Sequence, residues 1–337
     1  MRFAQGSGRE LGLFDAALTR FPDWDGRYAP SGDADLRQAI YAPESSYVDA
    51  ATLAIAELFQ DEADPFVARR LAESSFFAEP PRRAVGEDIL AIDLADGPSA
   101  SAADQGAAFL AAVAAQEARR GLRVTLLADG SGSEGAALSE AVAGARGVDL
   151  ALLYPEGAHV SGVRLARLCR EGGNTLLIGT RADSDGVGSM IRSLAGAAFD
   201  DRVIADAGRG NPARFASRLV GLTAAFALLR SGTAGELYIG LRAGDQLDLA
   251  AGLWAWRLGI PITGFIVPRP QSEPDGARWD SGRWNDPAGA EIIDRFEREM
   301  PGAIRSLVLP IDVDAGAVES ARGFMDRDSA AILAAAQ

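Results

Sequence analysis

The chain has 337 residues, a length that suits two domains with a sizeable core. Its 47 acidic side chains outnumber 33 basic ones and leave a formal charge of −14, which argues against a nucleic-acid groove or a surface drawn to anionic lipid. One Cys and one His exclude a disulfide framework and a zinc site built from several such ligands, and all 33 basic residues are Arg, so lysine chemistry is closed to the chain.

The first ninety residues read as a helical region. Leu13–Arg20 is a short amphipathic turn, and Tyr47–Phe59 and Val67–Ala78 repeat apolar residues at helical spacing. Pro80 and Pro81 mark a boundary. Beyond it, short apolar runs alternate with Ala-rich helical stretches. Ile89–Leu94 is strand-like, Asp104–Arg120 helical, and Arg123–Ala128 a continuous apolar run. The glycine-rich Gly130–Gly135 opens a helix to Gly144, Val148–Tyr154 is a strand, Val163–Arg170 a helix and Thr175–Gly179 a strand. In the second half Ala213–Arg230 is a long helix, Glu236–Leu241 a strand, Gln246–Leu258 a helix and Ile262–Pro268 a strand. Strands alternating with helices imply parallel βαβ units and a buried sheet. Pro268–Ala290 reads as a long surface loop or lid. The start of the chain carries no signal-peptide pattern, and the longest apolar stretches, Gly106–Ala115 and Leu219–Leu229, fall short of about 20 residues. A soluble, cytoplasmic protein without a membrane partner is expected.

Several stretches resemble one family. Gly244-Asp245-Gln246-Leu247-Asp248, followed by Ala251-Gly252 and by Gly259-Ile260-Pro261-Ile262, is similar to the G-N-F-G-D-I-L-A-G and G-L-P-I of the threonine synthases. Ser131–Ala137 resembles their S-G-D-T-G-S-A, and Leu153-Tyr154-Pro155-Glu156-Gly157 their L-Y-P-x-G. Asn211-Pro212-Ala213-Arg214 resembles N-W-A-R, and Phe296-Glu297-Arg298 the F-E-R of a later helix. Weaker echoes lie at Asp25–Pro30 and Asp326–Ala330, so the order is collinear along nearly the whole chain. The resemblance implies an α/β, two-domain fold of the tryptophan synthase β-like kind (fold type II), dependent on pyridoxal phosphate. It divides the chain into a helical region 1–87, a large α/β domain of 88–120 plus 205–337, and a smaller α/β domain over 121–204.

The departures bear on function. The family's H-G-P-T-x-A-F-K-D matches Asp96–Asp104, which puts Ala103 where the family has its cofactor lysine. That lysine forms the Schiff base and moves protons, both tasks that require an amine. A guanidinium stays protonated and does not replace it. In the phosphate cradle Leu247 stands for the second Gly and Asp245 for Asn, and Glu134 replaces Thr in the other glycine loop. No cofactor is therefore expected, the family's pyridoxal phosphate being lost. The candidate ligand-binding residues are Ser99, Ser131, Gly132, Ser133, Glu134, Asn211, Arg214, Gly244 and Asp245. In the family Asn and Arg at positions 211 and 214 help bind a phosphorylated substrate; the alternative for Arg214 is a structural pairing.

A serine hydrolase would have to use His159, and no G-x-S-x-G elbow accompanies it. Cys169 reads as a small buried hydrophobe. Asp104, Glu134, Asp245 and Asp248 form a possible acidic cleft for acid–base work or a cation, with Asp248 also readable as a helix-start cap. Trp254 and Trp256, two apart on one helix, cannot face the same core; either an interface or burial beneath the loop with Trp279 and Trp284 would cover them. The reading is a threonine synthase-like, catalytically inactive homologue that binds a small anionic or amino-acid-like ligand and associates with itself or with an active relative. The alternatives are altered chemistry in the acidic cleft without pyridoxal phosphate, or a lyase that holds pyridoxal phosphate non-covalently.

Overall fold

A computed structural model describes the chain except for residues 6–7, 19–26, 43–45, 85–89, 93–96, 100, 132, 157–172, 196–197, 200–201, 231–235, 242–245, 270–286 and 313–337. The N-terminal region opens with an antiparallel sheet in which β1 (Arg2–Ala4) pairs with β2 (Glu10–Leu11) and β3 (Ala29–Ser31). Helices α1 (Leu13–Ala17), α2 (Arg37–Tyr41), α3 (Tyr47–Leu58) and α4 (Pro65–Ser75) follow. The two longer ones start where the sequence supplies caps. Ser46 and Asp49 make a reciprocal capping box on α3, and Asp64 accepts from the Phe66 and Val67 amides, with Pro65 in the first turn of α4.

A short hairpin of β4 (Arg82–Ala84) and β5 (Leu90–Ile92) precedes α5 (Asp104–Arg119). The main sheet contains β6 (Arg123–Asp129), β7 (Val148–Pro155), β8 (Thr175–Thr180), β9 (Ala198–Phe199) and β10 (Arg202–Asp206) in the order β8-β7-β6-β10-β9. All of its pairings are parallel except β9 with β10. Central β6 sets Leu126 opposite Leu150 on one side and Ala205 on the other. Both faces of the sheet are covered, by α5 and α6 (Ser133–Val142) on one side and by α7 (Ser184–Leu194) on the other. That coverage is why β6 is a near-continuous apolar run, interrupted inside the strand only by Thr125.

The remainder holds α8 (Pro212–Arg230), β11 (Tyr238–Gly240), α9 (Gln246–Arg257), β12 (Gly264–Arg269), α10 (Pro287–Glu299), α11 (Ala303–Leu307) and β13 (Val308–Asp312), with a parallel sheet in the order β11-β12-β13. Helix α8 is the axis of the core, packed by α1, α2, α3, α5 and α9. It is apolar around most of its circumference, as a helix surrounded by others must be. Its buried Thr223 hydroxyl is satisfied by the Leu219 carbonyl at 2.7 Å. Trp254 on α9 is fully buried with the Arg257 guanidinium over its ring, and Trp256 meets Phe296 edge-on at 6.2 Å. Packing thus accounts for both; Trp279 and Trp284 lie outside the described residues.

The structure adds elements the periodicity did not signal: the N-terminal sheet, α2, α7, β9, β10, α11 and β13. Helix α7 buries only Val187 and Ile191 and carries two glycines, and β10 is five residues with a charge at each end. Among the described residues no helix is long and apolar enough to cross a membrane.

Helix α9 lies close against β12 at Gly252, where an added Cβ would come within 2.5 Å of the Phe265 ring. Gly252→Val is expected to lower unfolding stability by about 1–3 kcal/mol, read as a lower urea midpoint at unchanged slope.

Candidate functional site: the crevice at the β6 and β10 ends

The chain runs from β6 through α6 to β7 and on to β8, then returns through α7 to β10 on the opposite side of β6. Connections leaving β6 and β10 therefore diverge, and an open parallel sheet forms a ligand-binding crevice beyond its carboxyl ends at such a switch. Two loops build it, residues 129–133 after β6 and 207–211 after β10.

The first loop is a tight turn. The Asp129 side chain accepts from the Ser131 amide at 2.8 Å. A Cβ on Gly135 would lie 3.0 Å from the Gly130 Cα, so the glycines allow α6 to begin directly beneath the strand. Ser133 is the first residue of α6 and Glu134 follows in its first turn, where the helix dipole favours a carboxylate. Glu134 accepts from Arg209 Nε at 3.0 Å, an ion pair that ties the two loops together. Gly132 lies outside the described residues.

The second loop is anchored in the core. Asn211 is buried: its side-chain amide donates to the carbonyls of Ala17 at 2.7 Å and Asp206 at 2.6 Å, and its oxygen caps the Ala213 amide at 2.9 Å. Arg214, 4% exposed, donates to the backbone carbonyls of Ala103 and Ala207, each at 3.2 Å, while its Nε has no hydrogen-bond partner among the described residues. Burial pulls its pKa down from the ordinary arginine value, with Glu134 and Asp206 acting the other way. Asp206, at the end of β10, accepts from the Gly208 amide at 2.8 Å; burial nevertheless raises its pKa above 3.8.

The α5 start adjoins these groups through the Arg214–Ala103 contact. Asp104 is buried and accepts from the Ser99 amide at 2.9 Å and from the Ser99 hydroxyl. A Cβ on Gly97 would collide with the Asp104 carboxylate at 2.3 Å. Gly244, Asp245, His159 and Cys169 lie outside the described residues. Leu247 is 2% exposed, and a Cβ on Gly289 would come within 3.2 Å of its amide nitrogen, so the first turn of α9 is closely covered by α10. Asp248 is ion-paired with Arg218. Among the described residues no group of three or more His, Cys, Asp or Glu side chains could hold a metal ion.

Of the sequence candidates, the structure gathers Glu134, Ser131, Ser133, Asn211 and Arg214 around the switch, with Ser99 at the α5 start. Asp206 and Arg209 are additions to that set. Reading Arg202–Asp206 as a strand would have placed Asp206 at a carboxyl end and exposed the switch.

No family model matches the chain. Curated relatives are the threonine synthases of Serratia marcescens, 27% identical over 83% of this chain, and of Haemophilus influenzae, 26% identical over 83%. The chain spans 62% and 63% of their lengths. Among solved structures it resembles the Escherichia coli threonine synthase with a TM-score of 0.79 at 18% identity, covering 99% of this chain and 84% of that one. The pyridoxal phosphate-bound threonine synthase of Brucella melitensis gives 0.76 at 20% identity, covering 98% and 84%.

The last of these corrects the expectation that no cofactor is held. The fold shared with a cofactor-bound threonine synthase spans almost the whole chain, so substitutions at single positions do not establish that the cofactor is lost. What the residues here do not fit is covalent attachment. Ala103 offers a methyl group packed against the core and a carbonyl already taken by Arg214, and the chain has no Lys.

The raised Asp206 pKa has a stated sign. Because the folded value lies above the unfolded one, protonated Asp206 favours the fold, and that stability is lost as pH rises from 3.8 through the raised value. Asp206→Asn is expected to flatten the fall in stability as pH rises above about 3.8, read from urea midpoints of both proteins at a series of pH values.

Proposed function

We propose that this chain, which belongs to the threonine synthase family, is a catalytically inactive member that serves as a binding or regulatory protein. The observation that carries this reading is position 103. The resemblance places the family's lysine there, and this chain has an alanine whose carbonyl is bound by a buried guanidinium. With no Lys in 337 residues, no side chain supplies the amine elsewhere.

The crevice retains groups suited to a small amino-acid-like ligand. Arg209, 67% exposed at its side chain, can turn from Glu134 to a carboxylate or phosphate, leaving Glu134 to accept an ammonium group. The Ser131 and Ser133 hydroxyls stand at the start of α6, where amides and dipole favour an anion. Association with a second copy or with an active relative would turn such binding into regulation. Asp206 supports a second reading, altered acid–base chemistry in the same crevice, since burial makes its carboxyl hold a proton more firmly than an exposed one.

Binding is tested by calorimetry and thermal shift with L-threonine and phosphohomoserine, each with and without pyridoxal phosphate. A ligand at 100 times its Kd is expected to add about 2.7 kcal/mol of stability. Arg209→Ala, an exposed change, is expected to weaken binding about tenfold, a loss of about 1.4 kcal/mol. Failure of both ligands to bind, or equal binding by the variant, contradicts the proposed site.

A further inference from the structure

A second concavity runs along the flank of α5, from the α5 start at Gly97 and Asp104 to Arg119. It has a volume of about 630 Å³, within the range of small-molecule sites. Its walls come from α4 and the residues after it, from α5, and from α6 with its following turn. Ala108, Ala112 and Ala115 on α5 face Ala137 and Ala141 on α6, so the walls are smooth, apolar and low. Between the levels of Asp104 and Arg119 the furrow follows α5 for about 22 Å, at 1.5 Å per residue. Such a shape suits a thin extended chain better than a compact ring system or a helix.

The two ends differ in charge. Arg119 and Arg146 line the end at the α5 and α6 C-termini, together with Glu140. Both arginines are exposed; among the described residues Arg119 makes a long contact with Gln116 at 3.5 Å. Glu140 has a partner of its own. The opposite end carries the Asp104 carboxylate beside Pro98, Pro80 and Phe77, which repels an anion and accepts an apolar tail.

A polar group sits between the ends. Ser75 lines the furrow, is 4% exposed, and its hydroxyl has no hydrogen-bond partner among the described residues. Arg70 bonds to Gln116 at 2.9 Å and Phe76 packs on Phe109 at 6.0 Å, so α4 runs antiparallel to α5. That arrangement sets Ser75 part-way along the furrow. A buried hydroxyl without a partner is costly, and a ligand oxygen at that depth would satisfy it.

We propose that this furrow binds a long-chain carboxylate with an oxygen function part-way along its chain: headgroup at Arg119 and Arg146, mid-chain oxygen at Ser75, tail toward Pro98. The headgroup end lies at the C-termini of α5 and α6, opposite the α5 start that adjoins the crevice, and the proposal does not depend on the function proposed for the crevice.

The test is calorimetric titration of the full chain with 10-hydroxystearate, stearate and dodecyltrimethylammonium, each below its aggregation threshold. Both carboxylates are expected to bind saturably, the hydroxylated one several-fold tighter, and the cationic amphiphile not at all. Arg119→Ala with Arg146→Ala should weaken both carboxylates at least tenfold, and Ser75→Ala should abolish the preference between them. Ala112→Phe, which fills the furrow, should remove binding, with circular dichroism confirming the fold. Should that variant not fold, the surface arginine pair carries the test. No saturable binding, equal binding of the cationic amphiphile, equal affinity for the two carboxylates, or unchanged affinity in the arginine variant overturns the proposal.

Discussion

A guanidinium buried with no carboxylate at hydrogen-bonding distance among the described residues is the constraint around which the crevice is arranged. Arg214 reaches from the first turn of α8 to the carbonyl of Ala103 at the start of α5 and to that of Ala207 in the loop after β10. A charge in such a place is tolerated only where dipoles and nearby opposite charge compensate it, and Glu134 and Asp206 supply the field. Gly106 makes room: a Cβ there would stand 3.1 Å from the guanidinium. Asn211 acts beside it by fastening the loop to Ala17 and capping α8. The two residues join a sheet loop, the α5 start and the core axis into one unit.

That unit also sets the chemistry. Position 103 lies under Arg214, so the place the resemblance gives to an amine is occupied by a methyl group next to a fixed cation. Positive charge here is delocalised and permanently protonated, suited to holding an anion or a carbonyl and unsuited to nucleophilic attack. The carboxyls divide by environment. Glu134 stands at a helix start opposite Arg209, whereas burial raises Asp206 toward its protonated form. The crevice thus brings together an exposed guanidinium at Arg209, the Glu134 carboxylate paired with it, and a buried Asp206 whose pKa burial raises.

The sequence carried the long elements well because their signals are strong. Asp104–Arg119 and Gln246–Arg257 are helices in which apolar residues dominate, and Arg123–Asp129 is a mostly buried strand whose interior is apolar except for Thr125. The glycine loop before α6 was legible for a steric reason, the close approach of Gly130 and Gly135. Helix α7 and strand β10 were not, since each depends on a few buried residues and on partners distant in sequence. Missing β10 hid the switch point, and with it Asp206 and Arg209. The roles of Asn211 and Arg214 could not be read from residue type, because a ligand-binding arginine and a buried bridging one look the same until the carbonyls around them are placed. The expectation of a lost cofactor, drawn from the substitutions at Ala103, Asp245, Leu247 and Glu134 taken together, is corrected by the fold shared with a cofactor-bound threonine synthase, which extends over nearly the whole chain.

The central claim is that the family's frame persists here without its lysine-dependent turnover. Phosphate release and threonine formation from phosphohomoserine, measured on the purified chain with saturating pyridoxal phosphate, test it most directly. The account predicts neither product above the protein-free blank at any protein concentration. Product formation that scales with protein and survives repurification would contradict it.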